Sequence, residues 1–286
     1  MRFFCVDDAV PATTIDVLRA ACERRDIEFL RVYARGPLPD PPDAGDLLYR
    51  PAVTLPALVA ERQLWHPDVA TFYADPDGPY VTIAAPVERW HRLGLPVPRT
   101  FQPTSPDRTE LDVLVEQLAG YPVVVKFHGG EGGIGVLRAD SSAALYSILD
   151  YGFAKATTPS VSAYIHDATH LRVIVMGDRA VTAYRNITSK GDFRTYGSQD
   201  PDDYDLPISE EMGELAVAAV QALRLELGGV DLLQHASGRL YLLEANFPCY
   251  FAMPETVAGI DVSGALVDHL VAKSHRLTGA AGPAGT

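Results

Sequence analysis

Lysine and arginine are scarce in this chain: 24 against 37 aspartates and glutamates, for a formal net charge of −13. An acidic chain without a Lys/Arg cluster is not built to bind nucleic acid as its main task. A small anionic ligand stays open, because such sites need only a few local donors. Cysteine is rarer still. Cys5, Cys22 and Cys249 form an odd set with no metal-ligand spacing, which argues against a disulfide framework and for free thiols in a reducing cytoplasm. Cys5 and Cys22 lie in apolar surroundings and read as core. Cys249 is either a small packing residue or a thiol beside the acidic cluster it follows. No apolar run approaches the roughly 18 residues of a membrane span. The N-terminus, Met1-Arg-Phe-Phe-Cys-Val-Asp-Asp8, turns acidic too early for a secretory signal. The expectation is a cytoplasmic protein with neither membrane nor nucleic-acid partners.

Enough is present for a large buried core. With 286 residues, 47% hydrophobic, two or three small lobes are expected rather than one. Strand 2–7, helix 11–25, strand 27–33, strand 46–50 and helix 55–64 read as a small α/β lobe with a parallel sheet. A helix over 87–93 and the Pro96-Val-Pro98 linker close it. Helix 110–118, strand 123–127, a glycine-rich loop, strand 134–137 and helix 141–149 follow. Strands 171–176 and 179–187 flank Gly177-Asp178, a two-residue hairpin signal. Gly197–Pro207 is an acidic loop. Helix 210–223, capped by Ser209, has the clearest helical spacing, with Met212, Leu215, Ala216, Ala219, Val220 and Leu223 on one face. No internal repeat is present.

Three constellations carry chemistry. In the first, strands 229–233 and 240–246 flank a Ser237-Gly238 turn, so a hairpin folded there sets Asp231 opposite Glu244. Asn246 shares the face of Glu244 by the period of two. Two carboxylates and an amide oxygen suit a hard cation, magnesium or manganese, of the kind that works with substrate phosphates. The bland alternative is a solvated hairpin with incidental acids. In the second, Lys126 ends a strand and five of the seven positions from 129 to 135 are glycine. Glycine backbone N–H groups approach phosphate oxygens closely, and the lysine adds charge. The spacing is neither a Walker loop nor a dinucleotide fingerprint, and a plain hairpin tip is the alternative. In the third, Arg172, Arg185, Lys190 and Arg194 fall within 23 residues, a local basic concentration that suits phosphate or a substrate carboxylate.

Taken in order, Val123–Val136, Leu171–Asp178, Lys190-Gly-Asp-Phe-Arg194, Gly229–Leu233 and Leu243–Asn246 resemble the ATP-grasp superfamily, and within it the RimK-like carboxylate–amine ligases. The resemblance covers Pro96 to Leu270. It implies an α/β fold of three parts: a pre-ATP-grasp domain (1–95), a central lid subdomain (96–165) and a C-terminal antiparallel-sheet subdomain with the metal site (166–275), with 276–286 as a disordered tail. It implies ATP and two magnesium or manganese ions as cofactors. Lys126 and the loop Gly130, Glu131, Gly132, Gly133, Ile134, Gly135 would contact the phosphates. Tyr164 and Ile165 would line the adenine pocket, and Arg172 joins this nucleotide-contacting set. Asp231, Glu244 and Asn246 would hold the metal ions. Arg185 would steady the acyl phosphate and tetrahedral intermediate, with Arg194 and Lys190 beside it at phosphate or substrate.

The implied reaction joins a carboxylate, of an amino acid or peptide, to an amine. A small-molecule kinase and a non-catalytic nucleotide-binding protein are the alternatives on the same scaffold. The resemblance also implies a homo-oligomer, a dimer or tetramer. Two family features are absent: Tyr80–Ala85 holds no second lysine, and Ser162 and Ala163 stand near the usual position of the linker acid, with His166-Asp167 as possible substitutes. Tyr196, Phe247, Tyr250 and Phe251 are either acceptor-pocket aromatics or packing residues.

Overall fold

A computed structural model describes residues 1–81, 86–127, 133–189 and 191–279. In the N-terminal lobe, strands β1 (Arg2–Asp7), β2 (Glu28–Tyr33) and β3 (Leu47–Tyr49) form a parallel sheet in the order β2-β1-β3. Helices α1 (Ala12–Glu23) and α2 (Leu55–Leu64) pack on it. Thr54 caps α2 by accepting from the Ala57 N–H, one of the donors that a helix start leaves without a partner.

Helix α3 (Pro86–Arg92) packs on the C-terminal core. Trp90 is fully buried there, and its indole N–H donates to the Ala219 carbonyl at 2.9 Å. The bulk of one tryptophan decides where the segment docks.

The central lobe is an antiparallel sheet ordered β4-β7-β5-β6, made of β4 (Thr100–Phe101), β5 (Val123–Lys126), β6 (Val136–Ala139) and β7 (Ser160–Ala163). Helices α4 (Arg108–Gln117) and α5 (Ser142–Ala154) cover one face. Val123 and Val125 point into that core, which leaves Val124 and Lys126 on the other face. Strand β6 starts two residues later than expected. Gly133 and Gly135 take φ of +79° and +82°, a left-handed backbone that turns the chain instead of extending it.

The C-terminal lobe is a five-stranded antiparallel sheet ordered β10-β9-β8-β11-β12. Its strands are β8 (Ala168–Met176), β9 (Arg179–Thr188), β10 (Thr195–Gly197), β11 (Leu227–His235) and β12 (Leu240–Asn246). Helix α6 (Glu210–Gln221) covers one face, burying Leu171, Val173, Val230, Leu232, Leu240 and Leu242 beneath it. Ser209 caps α6 through the Met212 N–H, as its sequence signals. On the other face, Ile174, Met176, Tyr184 and Leu227 meet the N-terminal lobe, with α7 (Ala252–Ala258) and α8 (Val262–Thr278) closing the core. Helix α8 runs to Thr278, and Leu277 packs against that core.

Backbone bonds fasten the lobes together. Glu226 N–H donates to the Phe72 carbonyl at 2.7 Å and Ala74 N–H to the Arg224 carbonyl at 2.9 Å. The fully buried Lys273 ammonium donates to the Tyr73 carbonyl at 2.6 Å and to Glu226 at 3.1 Å, which satisfies a charge that could not otherwise be buried.

Candidate active site

Two β-bulges build this site. Strand β12 carries the first. From Leu240 and Leu242, both inward, unbroken alternation would turn Glu244 into the α6 core. The register instead slips at Leu243: Leu232 pairs with Leu242 but Asp231 pairs with Glu244. The extra residue reverses the phase. Ala245 now faces the core, and Glu244 and Asn246 face the open side with Asp231. The turn is one residue longer than its Ser237-Gly238 signal. His235 N–H closes it on the Arg239 carbonyl at 2.9 Å, and Gly238 has φ +88°. The longer turn and the bulge cancel, so Asp231 still meets Glu244.

The second bulge lies on β9 at Val181. Ile174 pairs with Thr182 while Val175 pairs with Ala180. A regular two-residue hairpin would set Arg185 opposite His170, on the face of Arg172 and Asp231. The bulge makes Leu171 the partner of Arg185, which moves the arginine to the opposite, α6-side face. Arg185 is exposed and donates to Asp203 at 3.1 Å. The structure therefore sets Arg185 on the face opposite Asp231. Asn186 takes that face, its amide 3.5 Å from Asp231.

Asp231 is the electrostatic focus, only 4% exposed. Arg172, its neighbour across β8–β11, donates through Nε at 2.8 Å and Nη2 at 2.5 Å, one bond to each carboxylate oxygen. Asn246 lies 3.3 Å from Oδ2 and the His170 Nε2 3.3 Å from Oδ1, the latter without good hydrogen-bond alignment. Burial alone would raise the Asp231 carboxyl, but the Arg172 charge and the hydrogen bonds outweigh it and hold the group at about 2. Glu244 reaches solvent, yet local desolvation and the Asp231 charge push its carboxyl up, with Lys126 and Arg172 pulling the other way. Lys126 lies on the face of β5 turned away from its own lobe's core.

These residues are the two carboxylates and amide expected to hold a hard cation, and two like charges side by side are the arrangement a cation relieves. Among the described residues no group of three His, Cys, Asp or Glu gathers as a metal site, so a bound cation would rest on two carboxylates and Asn246. Arg194 donates to Asp192 at 2.7 Å and to the Gly133 carbonyl at 3.4 Å. It links its loop to the end of the glycine loop, with Gly135 and Ile134 beside Gly133. Gly130, Glu131, Gly132 and Lys190 lie outside the described residues, as does most of the lysine-free stretch before α3.

Tyr164 and Ile165 are half-buried on the linker between β7 and β8, the Tyr164 ring edge-on to His166 and beneath Arg138. Cys249 is buried against Gly229, and burial pushes its thiol up to about 12. A surface cavity of about 360 Å³ near Leu38, Leu55 and Val59 lies in the N-terminal lobe, away from these groups.

His170 and Asn186 are the site neighbours that the sequence reading passed over. His170 could have been found, because it stands two residues before Arg172 and so shares its face. Asn186 could not, because its facing depends on the bulge.

The RimK-like ATP-grasp domain model matches residues 91–270. The chain belongs to the RimK-like ATP-grasp family. It is 30% identical over 181 residues to a probable alpha-L-glutamate ligase of Pseudoalteromonas translucida, a match covering 63% of this chain and 59% of the relative. A protein of the same description from Picosynechococcus is 31% identical over 180 residues, covering 62% and 58%. The chain thus spans about three fifths of these curated relatives. Among solved structures, the ATP-grasp ligase PsnB with minimal precursor, Mg and ADP superposes with a TM-score of 0.70 at 17% identity, covering 95% of this chain and 97% of that one. D-alanine–D-alanine ligase of Bacillus anthracis complexed with ATP gives 0.68 at 15%, covering 97% and 98%. At such identities these superpositions establish the ATP-grasp fold.

Proposed function

We propose that this RimK-like chain is an ATP-dependent carboxylate–amine ligase. The substrate carboxylate attacks the γ-phosphate, giving an acyl phosphate and ADP. The amine then attacks the acyl carbon, and phosphate leaves. The observation that carries this reading is the bulged hairpin that sets Asp231, Glu244 and Asn246 on one face, with Lys126 on the face of β5 turned away from its lobe's core. ATP-grasp relatives solved with ADP and Mg, or with ATP, support the choice of nucleotide and metal.

In this reading Asp231, Glu244 and Asn246 hold magnesium, one ion or two, which would neutralise charge on the phosphate oxygens. Lys126 positions the phosphates, and the loop from Gly130 to Gly135 covers them and keeps water from the acyl phosphate. Arg194, already against Gly133, serves phosphate or substrate, with Lys190 in the same loop. Tyr164 and Ile165 border the base. Arg185, held on the far face by Asp203, would need the loop around it to move before reaching a reacting atom, so it is assigned no step. The carboxylate comes from an amino acid or peptide, and a homo-oligomer is part of the proposal.

The test is mass spectrometry of the protein incubated with ATP, magnesium and pooled amino acids and short peptides, with ADP recorded in parallel. A product that has lost one water, formed with ADP, is expected. A phosphorylated product without amine would replace the ligase by a kinase. Full activity in Asp231→Asn or Glu244→Gln would remove the metal assignment.

A further inference from the structure

We infer that Arg172 is a built-in counter-cation of Asp231 that keeps the divalent-cation site weak until nucleotide phosphates arrive. This rests on the metal assignment just proposed and adds to it an order of binding.

An ionised carboxylate offers about four lone-pair sites, and those of Asp231 are faced by donors from three other strands. Arg172 takes one bond on each oxygen at 2.8 and 2.5 Å, Asn186 and Asn246 stand at 3.5 and 3.3 Å, and the His170 Nε2 lies 3.3 Å away. Arg172 has no easy exit. It is paired in register with Asp231 on one side and with Tyr184 on the other. Its side chain is 22% exposed, and its Cδ lies over Gly229, 3.6 Å from where a Cβ would stand. A guanidinium does not shed its proton to make room for a metal.

Arg172 therefore offsets the Asp231 charge before any ligand binds, with a bond to each carboxylate oxygen. A dication meeting that site alone meets a ligand already paired with a fixed positive charge, which repels it. A polyphosphate tips the balance by supplying further negative charge and oxygen ligands. Metal and nucleotide should enter together.

The experiment is a Mn²⁺ titration of the purified full chain, following the free-ion signal by electron paramagnetic resonance, with and without ADP. Nucleotide-free wild type should bind Mn²⁺ only at concentrations on the order of millimolar. Arg172→Met, of similar length but uncharged, should tighten nucleotide-free binding roughly tenfold or more. Arg172→Lys should stay close to wild type. Unchanged or weaker binding in a folded Arg172→Met overturns the inference. So does a micromolar site in the nucleotide-free wild type, an outcome that needs no variant to fold. Failure of the wild type to take up Mn²⁺ with ADP present would instead overturn the metal assignment beneath it.

Discussion

Asparagine at position 231 keeps the size of the side chain and removes the charge that faces Arg172. The guanidinium is then left 22% exposed with no carboxylate against it. Stranding one member of a buried pair costs about 3–5 kcal/mol. The residual exposure argues for the lower end, about 3 kcal/mol at neutral pH. Acid gives an independent check. The Asp231 carboxyl sits at about 2 in the folded protein against an ordinary 3.8. A depressed carboxyl contributes stability that is present above its unfolded value and lost as pH falls through the folded one. The contribution is about 2 kcal/mol near neutrality, with about half gone by pH 3. Asp231→Asn has nothing to titrate there, so the gap between wild type and variant should narrow by about 1 kcal/mol between pH 7 and pH 3. Urea unfolding at several pH values, followed by the fluorescence of Trp65 and Trp90, measures it. A gap that stays constant across that range would refute the assignment of Arg172 and Asp231 as a buried ion pair.

Three further outcomes are expected. Glu61→Gln should destabilise the junction of the lobes by about 3 kcal/mol in chemical denaturation, because Arg50, 2.7 Å from Glu61, is buried with it; burial already pushes the Glu61 carboxyl up, so the double change Arg50→Met with Glu61→Leu should recover most of the loss. Gly229→Ala should cost about 1–3 kcal/mol in thermal melts, since its Cβ would stand 2.9 Å from that of Cys249; Cys249→Gly should relieve this and Cys249→Ala should not. All three thiols are buried, with Cys22 and Cys249 raised to about 12, so a disulfide reagent at pH 8 should find almost none in the native protein and three after denaturation.

Much of the fold was legible because its signals are local. Ser209 and the spacing of Met212 to Leu223 mark α6 within a residue or two of its observed ends, since caps and helical periodicity act over single turns. The parallel N-terminal sheet follows from strand–helix–strand order. What escaped was docking. Nothing near Trp90 in the chain tells it to cross to Ala219, more than a hundred residues away, and α8 reaches the N-terminal lobe for the same non-local reason.

At the candidate site, the sequence by itself determined which chemical groups are available and in what order: a lysine closing a strand, glycines after it, two carboxylates and an amide on a hairpin, arginines between. Only the tertiary structure decided which of them share a face. Side chains alternate with a period of two, so one extra residue in a strand reverses everything beyond it. The bulge at Leu243 turned Glu244 and Asn246 toward Asp231, and the bulge at Val181 turned Arg185 away and brought Asn186 in. A bulge is chosen by how two strands and the core beneath them fit, and that choice is made across the sheet rather than along the chain.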